Sequence, residues 1–285
     1  MRALITGGGG QLASDLAASF GADARAYTHA ELDICDQQAV QRACEELAPE
    51  VLINCAAFHN VDACEREPAR AWEVNVEAVR GLARQGVPLV HISTNYVFDG
   101  RREQPYGEED LPAPRSVYAL TKLAGEHAAL AYADAALVIR TAGLYGLHGS
   151  ATKGGNFVQR MLARAREGKP LRVVADQRVQ PTFTEDLAAA IVAALRGGAQ
   201  GVLHLTASGA CSWYQFTQRI MANAGLEVEV EPAETVRAAD GADRPINGLL
   251  ARPRADAMGL SELPQWEEAL SEYMQRAGLV PTPVD

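Results

Sequence analysis

The first 140 residues alternate short apolar runs with longer stretches in which apolar residues recur every three or four positions. Short apolar runs are typical of buried parallel strands, and the longer stretches are typical of helices with one apolar face. Strands are expected at 3–5, 24–28, 51–57, 87–94 and 136–140, and helices at 11–20, 37–47, 65–84 and 117–132. This order predicts an α/β fold of the Rossmann type, a doubly wound parallel sheet with right-handed crossovers.

Four consecutive glycines join the first predicted strand to the first predicted helix. Gly7 can adopt backbone angles that other residues resist, and Gly10 has no Cβ, so a ligand can approach the main chain. The helix start at Gln11 and Leu12 presents unpaired N–H groups and a positive dipole end, which suit a pyrophosphate. The strand–turn–helix context predicts a dinucleotide site, and a flexible glycine loop without a ligand is the alternative.

The rest of the chain is less regular. Helices are expected at 157–166, 185–195, from about 212 and at 265–276, strands at 170–174, 201–206 and 227–230, and a loop at 240–257. Residues 1–145 are expected to form the dinucleotide-binding domain, with about 182–206 returning to it. Residues from about 146 to 181 and from 207 to 285 then form a smaller C-terminal lobe over the carboxyl edge of the sheet, where such folds bind their ligands.

The end of the second strand bears on the choice of cofactor. An acidic residue there would bind both ribose hydroxyls and favour NAD. The chain has Thr28 and His29 at this point, with no carboxylate before Glu31. This leaves room for a 2′-phosphate that His29 or Arg25 could face, so the sequence favours NADP. A solvated loop histidine is the alternative for His29.

Two further segments are expected beside the cofactor. Ala56 and Ala57 end the third strand, and their small side chains let the backbone lie against a flat ligand. Asp33 is expected near the adenine, with a cap or loop carboxylate as the alternative.

Tyr118 and Lys122 are four residues apart on one predicted helix and therefore share a face. A lysine ammonium beside a tyrosine favours the phenolate, so we expect a lowered Tyr118 pKa and proton transfer near neutral pH. Thr94 ends a central strand, where its hydroxyl can orient a substrate carbonyl toward Tyr118. Together these residues predict ketone reduction with a hydride from the cofactor.

The net charge of −10 and the pI of about 5.2 argue against nucleic acid or an anionic membrane as the main partner. The first apolar strand starts at residue 3, which leaves no room for a signal peptide, and no apolar run approaches membrane-spanning length. The five cysteines are odd in number and form no C-x-x-C pair, and the histidines show no metal-ligand spacing. We expect a cytoplasmic protein with reduced thiols and no metal site.

These motifs resemble those of the extended short-chain dehydrogenase/reductases, and within that class of the dTDP-4-dehydrorhamnose reductase family. The resemblance runs nearly end to end. Its most specific segments are 6–12, 32–36, 54–62, 93–100 and 117–126, and it continues through 176–177, 181–182 and 244–247.

The resemblance implies a Thr–Tyr–Lys triad, which maps onto Thr94, Tyr118 and Lys122. It implies reduction of a 4-keto-6-deoxy sugar carried on a nucleoside diphosphate with NADPH or NADH, as in dTDP-rhamnose biosynthesis. It also allows a homodimer and bound Mg²⁺, although no ligand cluster demands the metal. The expected cofactor-binding positions are Gly7, Gly10, Gln11, Leu12, His29, Asp33, Ile34, Ala56, Ala57 and Lys122. The expected substrate-binding positions are Asn95, Val97, Gly143, Gln177 and Arg244.

The chain departs from the family pattern in its sugar-binding half. Asn95 replaces the aspartate that follows the triad threonine, and Gly143 replaces a tryptophan that helps to hold the sugar. Residues 179–180 replace Gly-Ser, and Gly248 and Ala251 replace a serine and an aspartate. The sequence therefore supports the reductase machinery more strongly than it supports rhamnose as the product.

Three alternatives bear on this interpretation. Related dehydratases place two acids after the threonine, and Asn95-Tyr96 supplies neither, whereas sugar-nucleotide epimerisation stays open. A catalytically silent, NADP-binding regulatory subunit resembling the methionine adenosyltransferase beta subunit is the rival from another class. The lost sugar-binding residues suit that rival, and the complete triad opposes it.

Basic and aromatic residues in the second lobe offer further candidates. Arg178, Arg244, Arg252 and Arg254 could pair with a diphosphate, or could be scattered solubilising charge. Trp213 and Trp266 are expected to be packing residues rather than sugar platforms.

Overall fold

A computed structural model describes residues 1–148, 155–236 and 241–281. The ranges expected for the second lobe include 149–154, 237–240 and 282–285, and the expected loop starts at Asp240; these positions lie outside the described residues. The described residues form twelve strands: β1 Ala3–Thr6, β2 Ala24–Tyr27, β3 Val51–Asn54, β4 Leu89–Thr94, β5 Ala136–Thr141, β6 Leu144–Tyr145, β7 Leu171–Val174, β8 Arg178–Val179, β9 Thr182–Phe183, β10 Gly201–His204, β11 Cys211–Ser212 and β12 Val230–Ala233.

Helices cover most of the segments between these strands. The α-helices in the described ranges are α1 Gln11–Phe20, α2 Gln37–Leu47, α3 Val61–Arg66, α4 Pro68–Trp72, α5 Ala78–Ala83, α6 Val117–Tyr132, α7 Phe157–Arg166, α8 Thr184–Arg196, α9 Trp213–Asn223, α10 Pro253–Ala257 and α11 Trp266–Arg276. A π-helical turn, Glu73–Glu77, joins α4 to α5, and 3₁₀ turns cover Gly21–Asp23 and Asn95–Val97.

Six parallel strands form the central sheet in the order β10-β5-β4-β3-β1-β2. The order reverses beside β1, and such a switch point opens a crevice at the carboxyl ends of the strands. The predicted Rossmann-type fold is therefore confirmed.

Apolar side chains cover both faces of this sheet. Leu16 of α1 and Ile191 of α8 pack on one face, and Val40 of α2 and Leu82 of α5 pack on the other. A separate cluster, centred on Tyr145, Phe216 and Tyr273, forms the core of the second lobe. The bounds of the two domains stay a prediction.

Several predicted elements differ from the structure. The strand expected at 51–57 ends at Asn54, so Ala56 and Ala57 lie beyond β3 rather than at its end. The helix expected at 65–84 begins at Val61 and is interrupted before Pro68, because proline starts a new helix rather than continuing one. The loop expected up to residue 257 ends in α10. The strand expected at 227–230 instead begins at Val230, whose side chain is buried where β12 pairs with β7.

No helix in the described ranges is long and apolar enough to cross a membrane.

Candidate active site

The predicted triad converges at the carboxyl end of β4. The Thr94 side chain hydrogen-bonds to Tyr118 and accepts a hydrogen bond from Tyr96 N at 3.2 Å. Lys122 is buried, and its Nζ donates to Ile92 O at 2.6 Å. The three groups therefore meet where parallel sheets place their active sites.

Helix α6 is held close to the sheet. Gly125 permits this approach, because a Cβ there would lie 2.3 Å from Asn75 O in the π-helical turn. One turn beyond Lys122, Glu126 is buried and forms a salt bridge to Arg140 of β5 at 2.7 Å, with a second hydrogen bond at 2.9 Å. The Ser93 hydroxyl also donates to Glu126. These contacts fix the face of α6 that carries the triad.

The expectation of a lowered Tyr118 pKa is wrong. Burial raises the pKa of Tyr118 well above its usual value, and the hydrogen bond from Thr94 opposes this only in part. In contrast, burial lowers the pKa of Lys122 to about 8, against an opposing effect of Glu126. Tyr118 is therefore kept as a phenol, the form that donates a proton.

A groove lies over the glycine turn, and we call it the glycine-turn groove. It encloses about 480 Å³, which is within the range of small-molecule and cofactor sites. Its lining residues include Gly7, Gly10, Gln11, Leu12, Ala57, Tyr118 and Lys122. Four of the expected cofactor positions in the turn and the helix start thus come together with the triad.

The groove has the features that a dinucleotide requires. Gly7 has φ +76°, and a Cβ there would lie 2.9 Å from Ala56 N, so only glycine suits this position. A Cβ on Gly8 would lie 2.7 Å from the carbonyl carbon of Tyr27. Gln11 Oε1 is buried without a hydrogen-bond partner among the described residues. The close main chain and this unpaired acceptor fit NADP.

The remaining expected cofactor positions have structural contacts of their own. Ala56 N donates to Asn54 Oδ1 at 3.2 Å, and Ile34 is buried in the sheet core. Asp33 Oδ1 accepts from Cys35 N at 2.9 Å, which is the loop-carboxylate alternative. His29 is exposed, with Nδ1 at 3.9 Å from Asp33 Oδ1.

The sequence suggested that the end of β2 is free of carboxylate, but the structure brings a carboxylate to it. Glu31 folds back, and its Oε2 accepts from both the N–H and the hydroxyl of Thr28 at 2.8 Å. These hydrogen bonds lower the pKa of Glu31. Arg25 lies over the ring of Tyr27 at 4.8 Å. The strand end thus presents both a carboxylate and nearby basic groups.

A second cavity, here called the lobe cleft, lies between β4 and the second lobe and encloses about 210 Å³. Its lining includes Thr94, Asn95, Tyr118, Gly143, Gln177, Arg178, Val179, Trp213 and Gly248. The expected substrate positions Asn95, Gly143 and Gln177 therefore lie together. Val97 does not line the cleft: it is completely buried against Phe98, Tyr106 and Leu250.

Four of the departures from the family pattern, at Asn95, Gly143, Val179 and Gly248, lie in this cleft. Asn95 Nδ2 donates to Gly248 O at 2.8 Å, which an aspartate could not do. A Cβ on Gly248 would lie 2.3 Å from Asn95 Nδ2. Gly143 has φ +59°, and a Cβ there would lie 3.1 Å from Val179 Cγ2. The substituted residues thus form one remodelled wall.

Trp213 was expected to be a packing residue, and this is only half right. Its ring packs on Phe157 with centroids 4.6 Å apart, but the side chain is only partly buried. It lines both the glycine-turn groove and the lobe cleft. Trp266 is buried in the lobe core, as expected.

The four candidate arginines separate into two groups. Arg252 and Arg254 line neither cavity: Arg252 pairs with Asp256 at 2.7 Å, and Arg254 donates to Val202 O at 2.6 Å. Arg178 lines the lobe cleft, and Arg244, paired with Asp62 at 2.7 Å, also hydrogen-bonds to Tyr96 of its lining. The second group is therefore the one beside the lobe cleft.

No group of three His, Cys, Asp or Glu side chains that could hold a metal ion occurs in the described ranges.

The sheet order, the glycine turn and the meeting of Thr94, Tyr118 and Lys122 define an extended short-chain dehydrogenase/reductase. A family model described as the RmlD substrate binding domain matches residues 1–278, and the chain belongs to this family.

Similar proteins share nearly the whole length of the chain. The probable dTDP-4,6-dihydroxy-2-methyloxan-3-one 4-ketoreductase of Streptomyces antibioticus is 40% identical, over 95% of this chain and 94% of its own. The dTDP-4-dehydrorhamnose reductase of Streptomyces griseus is 38% identical, over 95% of this chain and 92% of its own. The structure of dTDP-4-dehydrorhamnose reductase from Bacillus anthracis in complex with NADP has a TM-score of 0.90 and 32% identity, covering 96% of this chain and 98% of that one.

Proposed function

We propose that this protein is an NADP(H)-dependent reductase of a keto sugar carried on a nucleoside diphosphate. The observation that carries the proposal is that Tyr118 lines both the glycine-turn groove and the lobe cleft. A proton donor at this junction faces a cofactor on one side and a substrate on the other. The NADP complex of the Bacillus anthracis relative supports the choice of cofactor.

The residues of the chain divide the chemistry among them. NADPH, when bound, supplies the hydride that reduces the keto carbon. Tyr118 holds the proton that goes to the keto oxygen, and Thr94 orients that oxygen toward the phenol. Lys122 supplies a positive charge beside the developing oxyanion in the ammonium form, which is lost as the pH rises through about 8. We therefore expect reduction to slow above this pH.

The nucleotide part of the substrate finds basic groups at the cleft. Arg178 is exposed there, and Arg244 keeps hydrogen bonds to Asp62 and Tyr96. Both guanidinium groups suit a diphosphate, which accepts paired hydrogen bonds from arginine.

The sugar itself is set by the remodelled wall. The Streptomyces relatives, at 40% and 38% identity, are named for different keto sugars. The glycine at 143 leaves the cleft without the tryptophan of the family pattern. We propose a 4-keto-6-deoxy sugar other than dTDP-4-dehydrorhamnose as the preferred substrate.

Turnover of a panel of dTDP-linked keto sugars tests this function. We expect NADPH oxidation, measured by absorbance, with at least one 4-keto-6-deoxy sugar. We expect the kcat/KM for dTDP-4-dehydrorhamnose to be lower than for that sugar. Parallel assays with NADH measure the preference for NADPH. Tight NADPH binding without turnover of any sugar would contradict the reductase and support the regulatory rival, and isomerisation without net NADPH oxidation would support an epimerase.

Trp213 provides a sharper test of the cleft. We expect Trp213→Ala to raise KM for the sugar nucleotide about 5-fold, because an aromatic face that packs on a sugar ring contributes about 1 kcal/mol. Initial rates at saturating NADPH measure this effect, and Trp213→Phe should recover part of the loss.

Trp72→Ala is the matched control, since Trp72 is 44% exposed on α4 and lines neither cavity. An equal KM for Trp213→Ala and Trp72→Ala would remove Trp213 from the substrate site.

Location and assembly follow from the same proposal. All five cysteines are free thiols, which suits a reducing, cytoplasmic compartment. We propose a homodimer, which light scattering tests, and repetition with EDTA shows whether Mg²⁺ contributes.

A further inference from the structure

A row of buried polar side chains runs beneath the active site from β1 to α6. Thr6 Oγ1 donates to Asn54 Oδ1 at 2.7 Å, and Asn54 Nδ2 lies 3.1 Å from His91 Nδ1. His91 Nε2 lies 3.2 Å from Lys122 Nζ. All four residues are at most 2% exposed, so each hydrogen bond is made without competition from water.

The backbone fixes the polarity of this row. Ala56 N–H donates to Asn54 Oδ1 at 3.2 Å, and a backbone N–H can only donate. The oxygen of the Asn54 amide is therefore held on that side, and its NH₂ group faces His91. Because His91 Nδ1 accepts this hydrogen bond, the proton of the neutral ring must be on Nε2.

His91 thus points a donor at Lys122. An ammonium group has no lone pair to accept the Nε2–H, whereas a neutral amine accepts it and can still donate to Ile92 O. The contact favours the amine form of Lys122 over the ammonium form. His91 itself stays neutral, because burial and the nearby Lys122 charge hold its pKa well below the usual value.

The other groups that face Lys122 do not replace this contact. Glu126 lies one turn along α6 and raises the pKa of Lys122, but its carboxylate is already paired with Arg140. The Cys55 thiol, beyond β3, has a pKa raised to about 12 by burial and is uncharged at neutral pH. Tyr118 shares the glycine-turn groove and is a phenol.

We propose that His91 is a positioning residue that stabilises the amine form of Lys122 through its Nε2–H and so eases proton release from Lys122 during turnover. The role in turnover rests on the proposed reductase function. The proton released by the ammonium of Lys122 restores the phenol after Tyr118 has protonated the keto oxygen, and solvent then returns a proton to the amine. No proton leaves or joins His91 in this cycle.

Nitrogen-15 NMR of the histidine rings tests the polarity without any substrate. The His91 signal is the one that is absent from the spectrum of His91→Asn. We expect the His91 ring to be neutral at pH 6 to 8 and protonated on Nε2. A spectrum with the proton on Nδ1, or a doubly protonated ring, would overturn the proposal whether or not the protein is a reductase. The protonation state is read from the wild-type chain, and the variant serves only to assign the signal.

Titration of the Lys122 side chain by NMR tests the consequence. His91→Asn keeps an acceptor for Asn54 and leaves space for a water that can accept from the ammonium. We expect the Lys122 pKa to rise by about one unit, a 10-fold change in the proton equilibrium, and the alkaline limb of kcat to move with it. The melting transition of the variant verifies that it is folded.

His127→Asn is the matched control, since His127 is an exposed histidine of α6, the helix that carries Lys122. An unchanged Lys122 pKa in folded His91→Asn would overturn the proposal. A shifted pKa in a protein that reduces no keto sugar would leave the Lys122 contact standing and contradict the proposed function instead.

Discussion

Tyr118→Phe is expected to lower kcat at least about 100-fold while leaving the Kd for NADPH nearly unchanged. The substitution removes the proton donor but keeps the ring and its edge-to-face contact with Tyr96, at 5.8 Å between centroids. Loss of a positioned general acid costs about 10² to 10⁴ in rate. Pre-steady-state NADPH oxidation measures the chemical step, and cofactor fluorescence measures binding.

Tyr132→Phe is the control for this result, because Tyr132 lies on the same helix and is 45% exposed. It should leave kcat unchanged. A normal kcat in Tyr118→Phe would remove Tyr118 from the triad. Loss of NADPH binding would mean that its hydroxyl serves binding rather than proton transfer.

Glu126→Ala is expected to destabilise the protein by about 3 to 5 kcal/mol, since it leaves the buried Arg140 guanidinium without its carboxylate. Glu126 and Arg140 are only 2% and 5% exposed, so water cannot replace the lost partner. Urea unfolding at neutral pH measures the change in the free energy of unfolding.

The double variant Glu126→Leu/Arg140→Met tests whether charge burial is the cause. Removing both charges leaves an apolar pair of similar volume, so we expect it to recover at least half of the loss. Glu77→Ala is the matched control: its partner Arg80 is 43% exposed, and such pairs contribute about 0 to 1 kcal/mol. Equal losses in Glu126→Ala and Glu77→Ala would contradict this account.

The N-terminal fold and the meeting of Thr94, Tyr118 and Lys122 could be predicted because their determinants are local. The glycines of the turn directly follow a strand and precede a helix, and both features are visible in one short segment. Tyr118 and Lys122 share a face through the helix period alone. Thr94 needed only the rule that parallel strands present their carboxyl ends to the ligand.

The network beneath the triad could not be predicted, because its partners are distant in sequence. His91 follows two apolar residues in the buried strand β4, and its contacts lie 37 residues before it at Asn54 and 31 after it at Lys122. The Tyr118 pKa was misjudged for a related reason: burial, which the sequence does not display, raises it and outweighs the lowering effect of the hydrogen bond from Thr94.

Trp213 shows the limit of periodicity. It begins α9, and its spacing from Phe216 places it on the apolar face of that helix. The first residue of a helix can project beyond the core that the later residues fill. Here the side chain of Trp213 lines both the glycine-turn groove and the lobe cleft. Only the position of α9 over the sheet reveals this.

The hydrogen bond from Asn95 to Gly248 joins positions 153 residues apart and has a consequence for engineering of the cleft. An aspartate at 95 alone would turn a carboxylate oxygen toward a carbonyl oxygen, and a serine at 248 alone would drive its Cβ against the amide. Exchanging both residues together removes neither conflict, because the carbonyl oxygen of residue 248 and the crowded position of its Cβ stay where they are. An engineered return to the family pattern at these two positions therefore requires the main chain at 248 to move away from residue 95.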